Sequence, residues 1–199
     1  MKYTNYSVGK YLRDLSAKLP VPGGGSAAAL VSALGVSCLL KAANFTAGKK
    51  GYEKEQSEVK KISKKLIACR LTLTALIDED AKAYTGFSAA HKTKNKKEMA
   101  AALRKTIVVP CKIIEISSVA VFPALRLSKI CNKNLLSDVA CGLSMLRAGI
   151  ESAKFNIDVN LKFAADYRFA EKTKVKYAGM LKTVLRDIEN TIENVTGRL

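Results

Sequence analysis

Apolar residues recur every three or four positions along most of the chain, and strand-like alternation is scarce. From Glu53 to Ala90 the positions Val59, Ile62, Leu66, Cys69, Leu73, Leu76, Ile77, Ala83, Tyr84 and Phe87 fall on one stripe. That spacing predicts a single helix of about 38 residues, ~57 Å long at 1.5 Å per residue. Ala27 to Ala47 is almost uncharged and predicts a helix apolar all round, hence central, with Ser26 at its N-cap and Gly48 at its end. Ser7 caps a shorter helix that stops before Pro20. A fourth helix follows the loop around Lys92 to Asn95 and is expected to be kinked or divided at Pro110 and Pro123. A fifth runs from near Ser137 towards Ala165, and a sixth from about Tyr167 to Thr196. The pattern therefore predicts an all-α fold in one domain over 1–199, an up-and-down bundle of about six helices, several of them long. Its apolar surface exceeds what one layer of such a bundle needs. A homodimer formed through helix faces would bury the surplus, and a thick monomeric core is the alternative.

Composition adds a cationic surface. The chain has 199 residues, 34 basic and 17 acidic, for a net charge of +17, while hydrophobic types fill 48%. That apolar share excludes a disordered basic tail. The charge alone fits nucleic acid, an anionic membrane or an anionic small molecule. Residues 41–70 carry nine basic and three acidic side chains and residues 91–112 seven and one, so these two stretches supply 12 of the 17 net charges. Between Lys18 and Lys41 lie 22 uncharged residues, but Pro20, Pro22 and three glycines open the stretch and leave 15, Ser26 to Leu40, as continuous apolar helix. A membrane span needs about 20, so no membrane partner is expected. Five cysteines without a C-x-x-C pair read as reduced core residues of a cytoplasmic protein. A single histidine, His91, and no close cysteine spacing predict no metal site. Aromatics at 7%, no tryptophan and no recognised motif argue against nucleic acid.

The sharpest local signal is Pro20-Val21-Pro22-Gly23-Gly24-Gly25-Ser26. Gly23, Gly24 and Gly25 let the backbone approach a partner, and the helix opened by Ser26 offers free N–H groups to an anion. An ordinary connector ahead of a helix is the alternative. Asp80 has Tyr84 one turn on and Phe87 two turns on, surroundings that raise a carboxyl pKa and suit proton transfer. The alternative is a solvated acidic face of Asp78, Glu79 and Asp80, paired with Lys82 or Arg70. Asp138 stands at a helix start, where capping is common. It lies 18 residues before Asn156, ~27 Å along an unbroken helix. The two cannot reach one carbon from the same subunit; they hold opposite ends of a long ligand, or a second subunit supplies one. Asn156 and Asn160 share a helix face, and a structural interhelical bond competes with ligand binding there. His91 and the cysteines read as surface and core residues rather than catalysts.

Beyond these readings the chain resembles the formiminotetrahydrofolate cyclodeaminase and methenyltetrahydrofolate cyclohydrolase family. Five blocks carry the likeness in order: Pro20 to Ser26 with Ala27-Ala28-Ala29-Leu30; Asn44-Phe45-Thr46 with Gly48-Lys49-Lys50 and Tyr52; Asp78 to Tyr84; Ser137-Asp138; and Phe155-Asn156-Ile157-Asp158-Val159-Asn160-Leu161. The chain departs from the family at Ala90 to Lys97, where a Lys-Leu-Pro-like turn is usual. The resemblance implies a helical, dimeric, folate-binding enzyme of the stand-alone form, with no cofactor beyond a tetrahydrofolate derivative as substrate. It implies Asp80 as general acid/base and Asp138 as electrostatic stabiliser. Gly23, Gly24, Gly25, Ser26, Asn44, Lys49, Lys50, Tyr84, Asn156 and Asn160 would be its substrate contacts, and a polyglutamate tail would account for part of the charge. The expected reaction converts 5-formiminotetrahydrofolate to 5,10-methenyltetrahydrofolate with loss of ammonia; hydrolysis of 5,10-methenyltetrahydrofolate to 10-formyltetrahydrofolate is the alternative. A non-catalytic basic helical module that binds nucleic acid or an acidic protein is the reading from another class.

Overall fold

In the computed structural model, residues 2–93 and 95–199 are described; Lys94, part of the basic stretch noted above, lies outside them. The elements are α1 (Val8–Ser16), α2 (Gly24–Asn44), α3 (Gln56–Thr93), α4 (Lys96–Ile130), α5 (Leu136–Leu161) and α6 (Tyr167–Thr196), with 3-10 turns at Tyr3–Asn5, Glu53–Glu55 and Lys133–Leu135. No strand occurs among the described residues.

Helix α2 is central, as its all-round apolarity requires, packing on α3, α4 and α5. Ala28, Ala29, Val36, Leu39, Ala42 and Ala43 are fully buried. By length and hydropathy alone α2 and α4 could each cross a membrane, but most of each apolar window is buried among neighbouring helices. Long-range pairs fix the directions. Gly24 meets Asn156, whereas Lys41 bonds Asp138, so α2 and α5 are antiparallel. Glu58 with Arg126, and Glu79 with Lys112, make α3 and α4 antiparallel as well.

The α2–α5 crossing is tight because it is made at glycines. A Cβ on Gly142 would stand 2.8 Å from both the Gly35 carbonyl oxygen and Leu39 Cγ. Backbone cannot step aside as a flexible side chain can, so Gly142→Ala is expected to cost about 1–3 kcal/mol of stability, read as a lower urea midpoint.

One expectation changes and another narrows. The helix start moves: Gly23 is the N-cap of α2 without a side-chain bond, and Ser26 lies inside the first turn, fully buried. Of the two outcomes expected at its prolines, division does not occur: α4 runs unbroken from Lys96 to Ile130. Pro110 has no N–H for the carbonyl of Thr106, and the Asn160 amide donates to that oxygen at 2.9 Å instead. The cysteine reading holds for Cys69, Cys111 and Cys131, which are buried; burial pushes the Cys111 thiol up to about 11. Cys141 is exposed and Cys38 partly so, because both stand towards the outer faces of α5 and α2.

Candidate active site

The Pro-Gly segment delivers the N-terminus of α2 against the middle of α3, and the lack of a side chain at Gly25 makes room for a carboxyl group there. A Cβ on Gly25 would fall 2.1 Å from Asp80 Oδ1 and 2.6 Å from its Cγ. The carboxyl therefore sits on the backbone of the first helical turn, where free N–H groups and the positive end of the helix dipole lie. Burial raises the Asp80 pKa from 3.8 to about 6, with the Ser26 backbone N–H pulling it partly back. A carboxyl so placed exchanges protons near neutral pH.

The acidic triplet is thus split three ways. Asp78 accepts from the Tyr3 backbone N–H at 2.5 Å and the Thr4 hydroxyl at 2.6 Å, Glu79 pairs with Lys112 at 3.8 Å, and Asp80 alone faces α2. Neither Lys82 nor Arg70 takes the expected pairing among the described residues; the register of α3 against α4 brings Lys112 instead.

Tyrosines brace this floor. The Tyr11 hydroxyl lies 3.0 Å from Ser26 Oγ in a buried contact, and the Tyr3 hydroxyl donates to the Val21 carbonyl at 2.8 Å. Tyr3 also stacks edge-on against Tyr6 and Tyr11, so one aromatic cluster holds the loop, the helix start and Asp78 together. Sequence reasoning missed these residues. Their signal was the crowding of Tyr3, Tyr6 and Tyr11, three of seven tyrosines, into the first eleven positions.

Asn156 stands across α2 from Asp80. Its Nδ2 donates to the Ser152 carbonyl at 2.9 Å and lies 3.3 Å from where a Gly24 Cβ would be. Tyr84, one turn beyond Asp80, is 46% exposed and available to a ligand. Gly23, Gly24, Gly25, Ser26, Asp80, Tyr84 and Asn156 accordingly gather at one end of α2. Asn160 is on the same face of α5, but its amide is engaged by Thr106 as the structural bond.

The remaining candidates are at the opposite end. Asp138 takes a 2.8 Å bond from Lys41, Asn44 is the exposed last residue of α2, and Lys49 and Lys50 are exposed in the turn that follows. Gly25 to Lys41 spans sixteen residues, about 24 Å of helix, so Asp138 cannot act on an atom at Asp80 within one chain. The reason is the antiparallel run of α2 and α5, which pairs the start of one with the end of the other. Thr46 and Tyr52 serve structure there: Thr46 Oγ1 accepts from the Asn132 N–H at 2.9 Å, and the Tyr52 hydroxyl accepts from the Lys133 N–H at 3.1 Å. No cluster of three or more metal-ligating side chains occurs among the described residues.

Beyond the floor a cavity of about 640 Å³ opens between the end of α3, the start of α4 and the α5–α6 connection. Its walls are largely apolar, and His91, Lys96, Arg104 and Asp166 reach it.

Comparison with known proteins agrees with this architecture. The structure of formiminotetrahydrofolate cyclodeaminase from Thermotoga maritima superposes with a TM-score of 0.85 at 27% identity, covering 98% of this chain and 96% of that one. Methenyltetrahydrofolate cyclohydrolase of Methylorubrum extorquens is 28% identical over 186 residues, 89% of each chain. Formimidoyltransferase-cyclodeaminase of Rattus norvegicus is 32% identical over 186 residues, 88% of this chain. The chain spans only about a third, 34%, of that relative's length. The family model described as formiminotransferase-cyclodeaminase matches residues 7–179, and the chain belongs to that family.

Proposed function

We propose that the protein converts 5-formiminotetrahydrofolate to 5,10-methenyltetrahydrofolate with release of ammonia. The observation that carries this reading is the Asp80 carboxyl seated on Gly25 with its pKa near 6. In the reaction N10 attacks the formimino carbon and gives up its proton, the carbon becomes tetrahedral, and the exocyclic nitrogen leaves as ammonia after gaining a proton. One carboxylate can take the first proton and return it to the leaving nitrogen. The α2 floor holds N5 and N10 in place, turning ring closure into a proximity-assisted step. Asp138 takes no part at this carbon within one subunit.

A cyclohydrolase reading has a specific observation in its favour: the Methylorubrum extorquens relative, matched over 89% of its own length, bears that name. Water would then replace the amine, and the same carboxyl would activate it. The deciding experiment follows methenyl absorbance with each folate in turn. Acceleration from 5-formiminotetrahydrofolate with ammonia release supports the cyclodeaminase. Acceleration of methenyl loss alone supports the cyclohydrolase. No acceleration of either, with salt-dependent RNA or DNA binding, removes both.

The basic stretches suit a polyglutamate tail. Adding glutamates to the substrate is expected to lower KM, and salt to erode the gain; equal KM values for mono- and polyglutamates would count against this. A homodimer is supported by apolar side chains that line the cleft of α1, α2 and α3, where Val8 and Leu34 are 71% and 49% exposed. The expected solution mass is twice 21.5 kDa.

A further inference from the structure

The large cavity is lined from α3 by residues that follow Asp80 along that helix. Phe87 and His91 come seven and eleven residues after Asp80, which returns each to nearly the same face of α3, about 10 and 16 Å further along. On the other wall Phe163 stands in the turn just past the end of α5, seven residues after Asn156, and lines the cavity from there. Helix α2 starts at Gly24 and does not extend between these walls. The two faces that meet at the floor therefore open, beyond the start of α2, onto the cavity that Phe87, His91 and Phe163 line. At its outer edge Arg104 lies over the Phe169 ring at 4.1 Å and pairs loosely with Asp166 at 3.7 Å, both charged groups more than half exposed. Lys96 adds a second cation.

The geometry points to this cavity as the seat of the substrate's p-aminobenzoyl ring, with the attached glutamate carboxylates on Arg104 and Lys96. The inference rests on the folate reading above. The ring is bonded directly to N10, so when N10 is at Asp80 the ring must leave the floor at once. Travel inward is closed by α2 itself, whose Gly25 has no spare space beside the carboxyl. The outward course passes Tyr84 and enters a chamber of the size usual for small-ligand pockets. A flat ring fits between aromatic walls, and its anionic end meets cations rather than the low-polarity interior. Arg104 is already held flat by Phe169, which reduces the ordering cost of a carboxylate pair.

The test uses p-aminobenzoyl-L-glutamate, a fragment without the pterin that cannot be turned over, titrated calorimetrically into the full chain. Binding is expected for the unaltered protein and should weaken about tenfold in Phe87→Ala and in Phe163→Ala, the loss of one aromatic wall. The same variants should raise KM for the full folate by a similar factor. Phe163 is 69% exposed, so Phe163→Ala keeps its fold and remains informative if Phe87→Ala does not. Fragment binding that both variants leave unchanged overturns the assignment, even where the protein turns over folate normally. Fragment binding that both variants weaken supports it, including in a protein that fails the turnover assay, in which case only the proposed reaction falls.

Discussion

Asp80→Asn is expected to lower kcat about 10²–10⁴-fold, the usual contribution of one positioned acid/base, while leaving the bundle folded. Asparagine has nearly the same shape and still meets the Ser26 N–H, but it cannot carry a proton between N10 and the leaving nitrogen. The pH profile gives an independent reading. With a pKa of about 6, the carboxylate that must accept the first proton is lost on acidification, so kcat/KM should fall below about pH 6. Stability should move the other way. The folded-state pKa is raised above its ordinary 3.8, so the ionised form costs the fold free energy. That cost is absent below about pH 4, where both states are protonated, and grows until pH passes 6. A shift of this size corresponds to about 2–3 kcal/mol. Asp80→Asn should therefore melt higher than the unaltered protein at pH 8 and about equally at pH 3.5. Full turnover by the variant would remove Asp80 from the mechanism.

Gly25→Ala should be nearly as damaging, without touching any group that exchanges protons. Its methyl would occupy space 2.1 Å from Asp80 Oδ1, so the carboxyl must leave the helix N-terminus. Outside that seat it faces water and titrates closer to its ordinary value. The acid limb of the rate profile is expected to shift below pH 6 as kcat falls about 10²-fold or more, the scale of a mispositioned catalytic group. Gly23→Ala is the control: nothing lies within 4 Å of a Cβ there. Equal losses at the two positions would mean that loop flexibility, rather than the close approach at Gly25, sets activity.

Much of the fold was legible because its helices are long and strongly periodic. The expected third helix, Glu53 to Ala90, is observed at Gln56–Thr93, and the sixth matches its expected ends. The start of α2 was misjudged by three residues because Ser26 has the chemistry of a cap, whereas the glycines before it carry no helical signal. What turns them helical is tertiary, the Asp80 carboxyl filling the place of a missing side chain. The division of the candidate residues was readable only in part. Helix rise separated Asp138 from Asn156, but the direction in which α5 crosses α2, which strands Asn44, Lys49 and Lys50 with Asp138, leaves no mark in local sequence. The tyrosine brace was hidden for the same reason, since Tyr11 and Ser26 become partners only once α1 has docked.

The bond between Asn160 and Thr106 has an evolutionary corollary. Proline at 110 removes a donor, and asparagine at 160 restores one to the same oxygen. Losing the asparagine alone orphans a carbonyl, and losing the proline alone sets two donors in competition for it. Losing both returns α4 to an ordinary ladder. Substitution at either position is thus conditional on the other, and the two should covary among descendants of this chain although 50 positions separate them.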